Sequence, residues 1–280
     1  MLPRPWVRPP EVPPLLILLL AVLGFCAGLL GAVTGIGGGV LLTPLLTLHF
    51  GIPIRQAIGT SLVAVITTSA ASSSVHLQRH TTDIRLGMTL ELATSLGAAI
   101  TAYLVGYFNR NALEGLFAGF LLYSAITIMW RGGKVKPEDE SSATNEKGEY
   151  TIPPYEPKRY PLGLAASLVA GALSGLLGIG GGPIKVPLMY IFMNVPLMVA
   201  TATSNFMIGV TAAASAMVYY RRGDILVHYA APLAVGVFVG SLLGARIAPR
   251  IHTRHVVYIL VAIMLYLAGH LIIHLIGGLA

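Results

Sequence analysis

A glycine-rich break constrains this chain more than any other feature. Thr34-Gly35-Ile36-Gly37-Gly38-Gly39 interrupts a long apolar run, and the pattern returns as Leu177-Gly178-Ile179-Gly180-Gly181-Gly182, 143 residues later. The same offset pairs Gly28 with Gly171, Pro44 with Pro187, Pro53 with Pro196, Thr60-Ser61 with Thr203-Ser204, Thr68 with Thr211, Ser72 with Ser215 and Arg79 with Arg222. A two-residue slip then matches Asp83-Ile84 with Asp224-Ile225, after which only hydropathy is shared. The chain reads as a tandem duplication, so one structural solution should appear twice.

What each copy must fold into follows from polarity. The chain is 55% hydrophobic and 10% charged, with mean hydropathy +0.77, where soluble domains carry about 25% charge. Its apolar runs approach the roughly 20 residues that span a ~30 Å hydrocarbon core. They do not alternate as barrel strands would. The expected fold is an all-α polytopic membrane protein with the lipid bilayer as its surroundings. The pI of about 9.6 comes from Lys and Arg in short loops, where they set orientation, so no nucleic-acid partner is expected. Cys26 is the only cysteine, which excludes an internal disulfide and a cysteine metal cluster. No metal and no cofactor are expected.

Taken in order, residues 1–14 form a Pro-rich basic tail. The first repeat, 15–130, opens with an apolar run from Leu15, read as a span and not a cleaved signal because its counterpart from Leu162 is internal. Leu15 to Phe50 would be about 54 Å long as one helix, too long for one crossing, so the glycines must separate two shorter helices. Ile54–Leu77, Ile84–Phe108 and Leu113–Trp130 are the remaining spans. Asp83 and Asp224 are each read as the cap of the following helix. Residues 131–161 hold six of the eleven acids and five prolines and read as a hydrophilic linker. The second repeat, 162–280, follows the same order, with Gly236, Gly240 and Gly244 on one face for close helix packing.

Two topologies fit. If a broken pair crosses once, each repeat has four crossings and the repeats are parallel. If both pieces cross, there are five crossings per repeat and the repeats are inverted. Leaving Lys185 aside, Lys and Arg divide twelve to five in the first case and six to eleven in the second. Both are biased, so charge does not choose.

The break is not a dinucleotide loop, because no strand precedes it and Val40 or Pro183 stands where the third glycine would be. Irregular backbone at membrane depth is tolerated where protein covers it or it lines a wet cavity. Free amides at half-helix N-termini favour anions. The expected site therefore joins the backbone of Gly35, Gly37, Gly38, Gly39, Gly178, Gly180, Gly181 and Gly182 with Lys185, a cation inside an apolar piece whose counterpart is Leu42. Thr60, Ser61, Thr203, Ser204 and Asn205 open the next span of each repeat and are candidates to complete an anion's shell. Close packing, capping and interhelical hydrogen bonding are the structural alternatives for all of these. Glu91, read as the only acid inside a span, is a proton-coupling candidate that would also balance Lys185. His270 and His274 have a metal-capable spacing with no third ligand nearby in sequence and are read as interfacial.

The doubled glycine motif, with a proline five residues beyond its last glycine and a Thr-Ser span after it, resembles the sulfite exporter TauE/SafE family over nearly the whole chain outside the tail and linker. The resemblance implies a multi-pass plasma-membrane carrier, an exporter of small sulfur-containing anions such as sulfite or organosulfonates. No ATP-binding motif is present, so transport would be secondary, by alternating access at a midplane site. A homo-oligomer is left open. A membrane assembly or sensor protein without transport is the second reading. An intramembrane enzyme is the third, because no nucleophile and base are set together by spacing.

Overall fold

The computed structural model describes residues 13–132, 155–248 and 253–277. The tail up to residue 12 and linker residues 133–154 lie outside them. Ten helices are described: α1 (Pro14–Thr34), α2 (Gly39–Phe50), α3 (Ile54–Gln78), α4 (Ile84–Leu104), α5 (Arg110–Gly132), α6 (Tyr160–Leu177), α7 (Gly182–Pro187), α8 (Leu197–Arg221), α9 (Val227–Ile247) and α10 (Thr253–Gly277). Eight are long and apolar enough to cross a bilayer. The fourth span stops at Leu104 and ends in a 3-10 turn, Val105–Tyr107, short of the expected Phe108. The piece after the second break is helical only to Pro187 and then widens into a π segment, Leu188–Phe192. Pro187 has no amide donor to hold a regular turn there.

Packing contacts fix the run of each helix. Gly28 backs onto Val237 and Gly244 onto Leu29, so α1 and α9 are parallel; Gly171 backs onto Thr94 and Gly175 onto Ala98, so α4 and α6 are parallel. Glycine lets these backbones approach more closely than any Cβ would allow, which is the use expected for Gly236, Gly240 and Gly244. Gly59 near the start of α3 touches Tyr219 near the end of α8, and Ser69 donates to the Asn205 carbonyl, so those two helices are antiparallel. Phe50, closing α2, meets Tyr229 at the start of α9. Hence α1 runs from one end of the bundle, here the near end, towards the far end, and α2 brings the chain back. At 12 residues α2 is about 18 Å long, so it returns from mid-depth.

By the same reasoning α6 starts at the far end. The sequence halves therefore enter from opposite ends, the inverted sense of the second alternative, while α2 and α7 are too short to be crossings of their own. Among the described residues, four of the loop Lys and Arg lie at the near end and seven at the far end.

Two expectations are corrected. Asp83 does cap α4, accepting from Leu86 N at 2.9 Å, but Asp224 caps nothing. The residue before α9 is Leu226, and Asp224 stands 3.5 Å from Arg222. The two-residue slip is also absent. Thr203 Oγ1 accepts from Asp83 N and Thr60 Oγ1 accepts from Leu226 N, so the 143-residue register continues past the loop. The repeated Asp-Ile was a coincidence of composition.

Candidate functional site

The two glycine breaks meet at mid-depth. A Cβ on Gly39 would lie 2.5 Å from the Gly178 carbonyl oxygen, and one on Gly182 would lie 2.6 Å from that of Gly35. Val65 and Ile208, near the middles of α3 and α8, close the crossing. Gly35, Gly37, Gly178, Gly180 and Gly181 have φ between 70° and 83°, the left-handed region that glycine adopts without strain. Gly38 is in the right-handed region, whereas its counterpart Gly181 is not.

Not all the break amides are available to a ligand. Those of Gly35, Ile36 and Gly37 all point at the Gly31 carbonyl, and that of Gly178 points at Ser174. They finish the preceding helix, as left-handed caps do.

The hydroxyls also turn to backbone. Ser204 donates to the Gly35 carbonyl at 2.9 Å and Ser61 to the Gly178 carbonyl at 3.3 Å. Each half thereby caps the break of the other. Thr60 and Thr203 accept from the loops named above. Asn205 donates to the Ala32 carbonyl and lies 3.4 Å from His76 Nε2. In the related position Tyr219 reaches the Gly175 carbonyl directly.

The charges gather elsewhere. Lys185 leaves the first turn of α7 with its stem over Gly181 and is 1% exposed. Its Nζ donates to Glu91 Oε2 at 3.1 Å and to Thr211 Oγ1 at 2.7 Å. Thr211 Oγ1 lies 2.6 Å from Glu91 Oε1, to which Ser95 donates at 2.7 Å. Glu91 is 3% exposed. Although only six residues beyond Arg85, Glu91 lies on the buried face of α4, two turns inward. Thr211 and Ser95 are the members of this cluster that sequence reasoning missed. The exact 143 register, with Thr211 matching Thr68, was the available clue.

Towards the far end, Leu86, Leu90, Met189, Met193 and Met207 form an apolar plug. Tyr155 packs on it and donates to Asp83 Oδ2 at 2.6 Å. Burial, and then that bond, push the Tyr155 hydroxyl above its ordinary pKa. At the near end a cavity of about 440 Å³ is lined by Arg55, Arg110, Asp224 and His274 among others. It exposes a further correction. Glu114, inside α5 and 2% exposed, is a second acid within a span. It binds Arg110 at 2.6 Å and His274 at 3.2 Å, the acid for His274 that sequence distance had hidden. His270 stacks with His49. Among the described residues no cluster of three His, Cys, Asp or Glu is arranged to hold a metal ion.

The sequence profile of the sulfite exporter TauE/SafE family matches residues 20–271. The chain is 30% identical over 267 residues to the probable membrane transporter protein YunE of Bacillus subtilis, covering 91% of this chain and 96% of that protein. It is 30% identical over 265 residues to the probable membrane transporter protein MJ0441 of Methanocaldococcus jannaschii, covering 89% and 93%. No solved structure matches. The chain belongs to the sulfite exporter TauE/SafE family and is a multi-pass membrane transporter.

Proposed function

We propose that this TauE/SafE transporter moves a small sulfur-containing anion, sulfite or an organosulfonate, across the plasma membrane by alternating access, in the export direction the family description implies. The observation that carries the reading is Lys185, a cation with 1% exposure at mid-depth. Buried intramembrane charge is costly and is kept where it meets a substrate or ion. Lys185 presents three N–H donors with freedom to rotate, and Glu91 holds the place an anion would take. The glycine crossing supplies the pivot, since backbone meets backbone there at glycines that carry no side chain of their own. The Met-rich plug closes the site from the far end. The excess of Lys and Arg at that end among the described residues supports a cytoplasmic far end, with the near-end cavity facing outside.

The hydroxyls, Asn205 and the glycine amides enter this reading as the frame that positions α7 and α8. Gly38, Gly39, Gly181 and Gly182 keep the backbone close enough to the site for an anion to reach it once the halves separate.

The test is the thermal stability of detergent-purified protein against sulfite, thiosulfate, sulfate, sulfoacetate, taurine, acetate and phosphate. A ligand at 100 times its Kd stabilises by about 2.7 kcal/mol. Selective stabilisation by sulfur oxyanions in the wild type, absent in Lys185→Leu/Glu91→Ala, is the expected result. A response to acetate and sulfite alike would remove the substrate class. An unchanged response in the double variant would remove Lys185 from the site.

A further inference from the structure

We propose that Glu91 binds the coupling ion, a proton, and that the transporter moves one proton with each monovalent anion. This rests on the reading that Lys185 receives the anion. In the structure Glu91 is arranged as an ionised group. Its Oε1 lies within hydrogen-bond distance of the Thr211 and Ser95 hydroxyls and its Oε2 takes the Lys185 ammonium. The buried pair has no net charge.

An anion arriving at Lys185 changes that sum. With Glu91 still ionised, the cluster would carry one uncompensated negative charge away from water, a state proteins avoid by changing protonation. The group able to change is Glu91. Lys185 turns to the anion, and Oε2 loses its donor and takes a proton from the side through which the anion entered. The loaded cluster is Lys185 as ammonium, the anion, and Glu91 as carboxylic acid, again neutral. On release towards the opposite side the anion departs, the O–H bond of Glu91 breaks, the proton leaves to water, and the ion pair re-forms. Proton and anion travel together, and no net charge crosses.

The surroundings leave this task to Glu91. On the elements packed against it, the titratable and charged groups are Lys185, then Tyr190 beyond it, Tyr160 at the start of α6, and Tyr219, Tyr220 and Arg221 at the end of α8. None is a carboxylate. The related place in the other half has Leu42 for Lys185, Ala234 for Glu91 and Phe238 for Ser95, so it contributes no second charge. A dianion would require a second proton, which makes hydrogen sulfite and monovalent sulfonates the preferred cargo. Net flux follows the product of the anion and proton gradients, so outward flux against an external acid load requires anion accumulated inside.

Methanesulfonate is the probe, because it stays monovalent across the working pH range. Its binding to purified protein is measured by titration calorimetry in buffers of different ionisation enthalpy, which reports protons taken up. The wild type is expected to take up close to one proton per anion, and its affinity to fall close to tenfold per pH unit over the range in which that proton is taken up. Glu91→Gln, which keeps the shape and the Oε1 acceptor, is expected to take up none and to bind independently of pH. Wild-type binding without proton uptake overturns the coupling and leaves the anion site standing. Absence of binding in the wild type, for methanesulfonate and sulfite alike, overturns the anion site and the coupling with it. If Glu91→Gln does not fold, the wild-type proton count and pH slope decide.

Discussion

The region around Lys185 and the region around Leu42 occupy related positions, one in each half. Both follow a glycine break, both lie at mid-depth, and the 143-residue register pairs Thr211 in one half with Thr68 in the other. Around Lys185 the threonine bonds to the ion pair. Around Leu42 it bonds to the Ala64 carbonyl on its own helix, and the neighbours Leu42 and Leu46 join the apolar core. What the halves share is architectural: the crossing, the reciprocal serine caps, and the threonines that accept from the loops. What differs is charge. In this molecule the frame is doubled and the chemistry is single.

The strongest way to break that comparison is to make the two regions alike. Lys185→Leu is expected to abolish anion transport in liposomes. It should also cost about 3–5 kcal/mol, because it strands a buried carboxylate, measurable as a lower unfolding temperature. Adding Glu91→Ala matches the other half at both charged positions. The double variant is expected to recover most of that stability while still transporting nothing. A double variant as unstable as the single one would mean that the frame depends on the charges.

Next in size is the crossing. Gly39→Ala and Gly182→Ala should each destabilise by about 1–3 kcal/mol, since the added methyl meets backbone that has nowhere to go. Similar unfolding shifts for the two would support equal roles, and a silent substitution on either side would show that the halves are not packed alike.

Smaller effects sharpen the comparison. Ser61→Ala and Ser204→Ala each remove one hydrogen bond to a break carbonyl, about 1 kcal/mol, and anion affinity should follow neither. A tenfold loss of affinity in Ser204→Ala would make it an anion ligand after all. Smallest is the pair of loop acids. Asp83→Ala should cost about 1 kcal/mol through the lost cap. Asp224→Asn should cost nothing. Burial holds the Asp224 carboxyl above the ordinary carboxylate range, against the pull of Arg222 and Arg55. Its ionised form is therefore the less comfortable one in the folded chain, and stability should rise slightly as pH falls through its titration. That slope should vanish in Asp224→Asn.

Much of this frame was legible in the sequence. The glycines, their spacing and the length of the flanking runs required broken helices, and Lys185 stood out because nothing else in its run is charged. Three things were hidden, each for a physical reason. Inversion was hidden because both topologies give a charge bias, and only contacts such as Phe50 with Tyr229 tell which way α2 runs. The place of Thr211 beside the Lys185–Glu91 pair joins residues 120 apart in sequence, a distance no local pattern spans. The role of Asp224 was misread because Asp is the common cap, yet here the helix begins two residues later behind Leu226.

The meeting of the breaks also bears on how such a chain can change. A methyl on Gly39 has no room unless the backbone at Gly178 gives way, and one on Gly182 has none unless Gly35 does. Neither half owns its break. At Leu42 and Lys185, where a side chain has its own space, the two halves are free to differ. At the crossing, the backbone of each half leaves the other no room for a side chain.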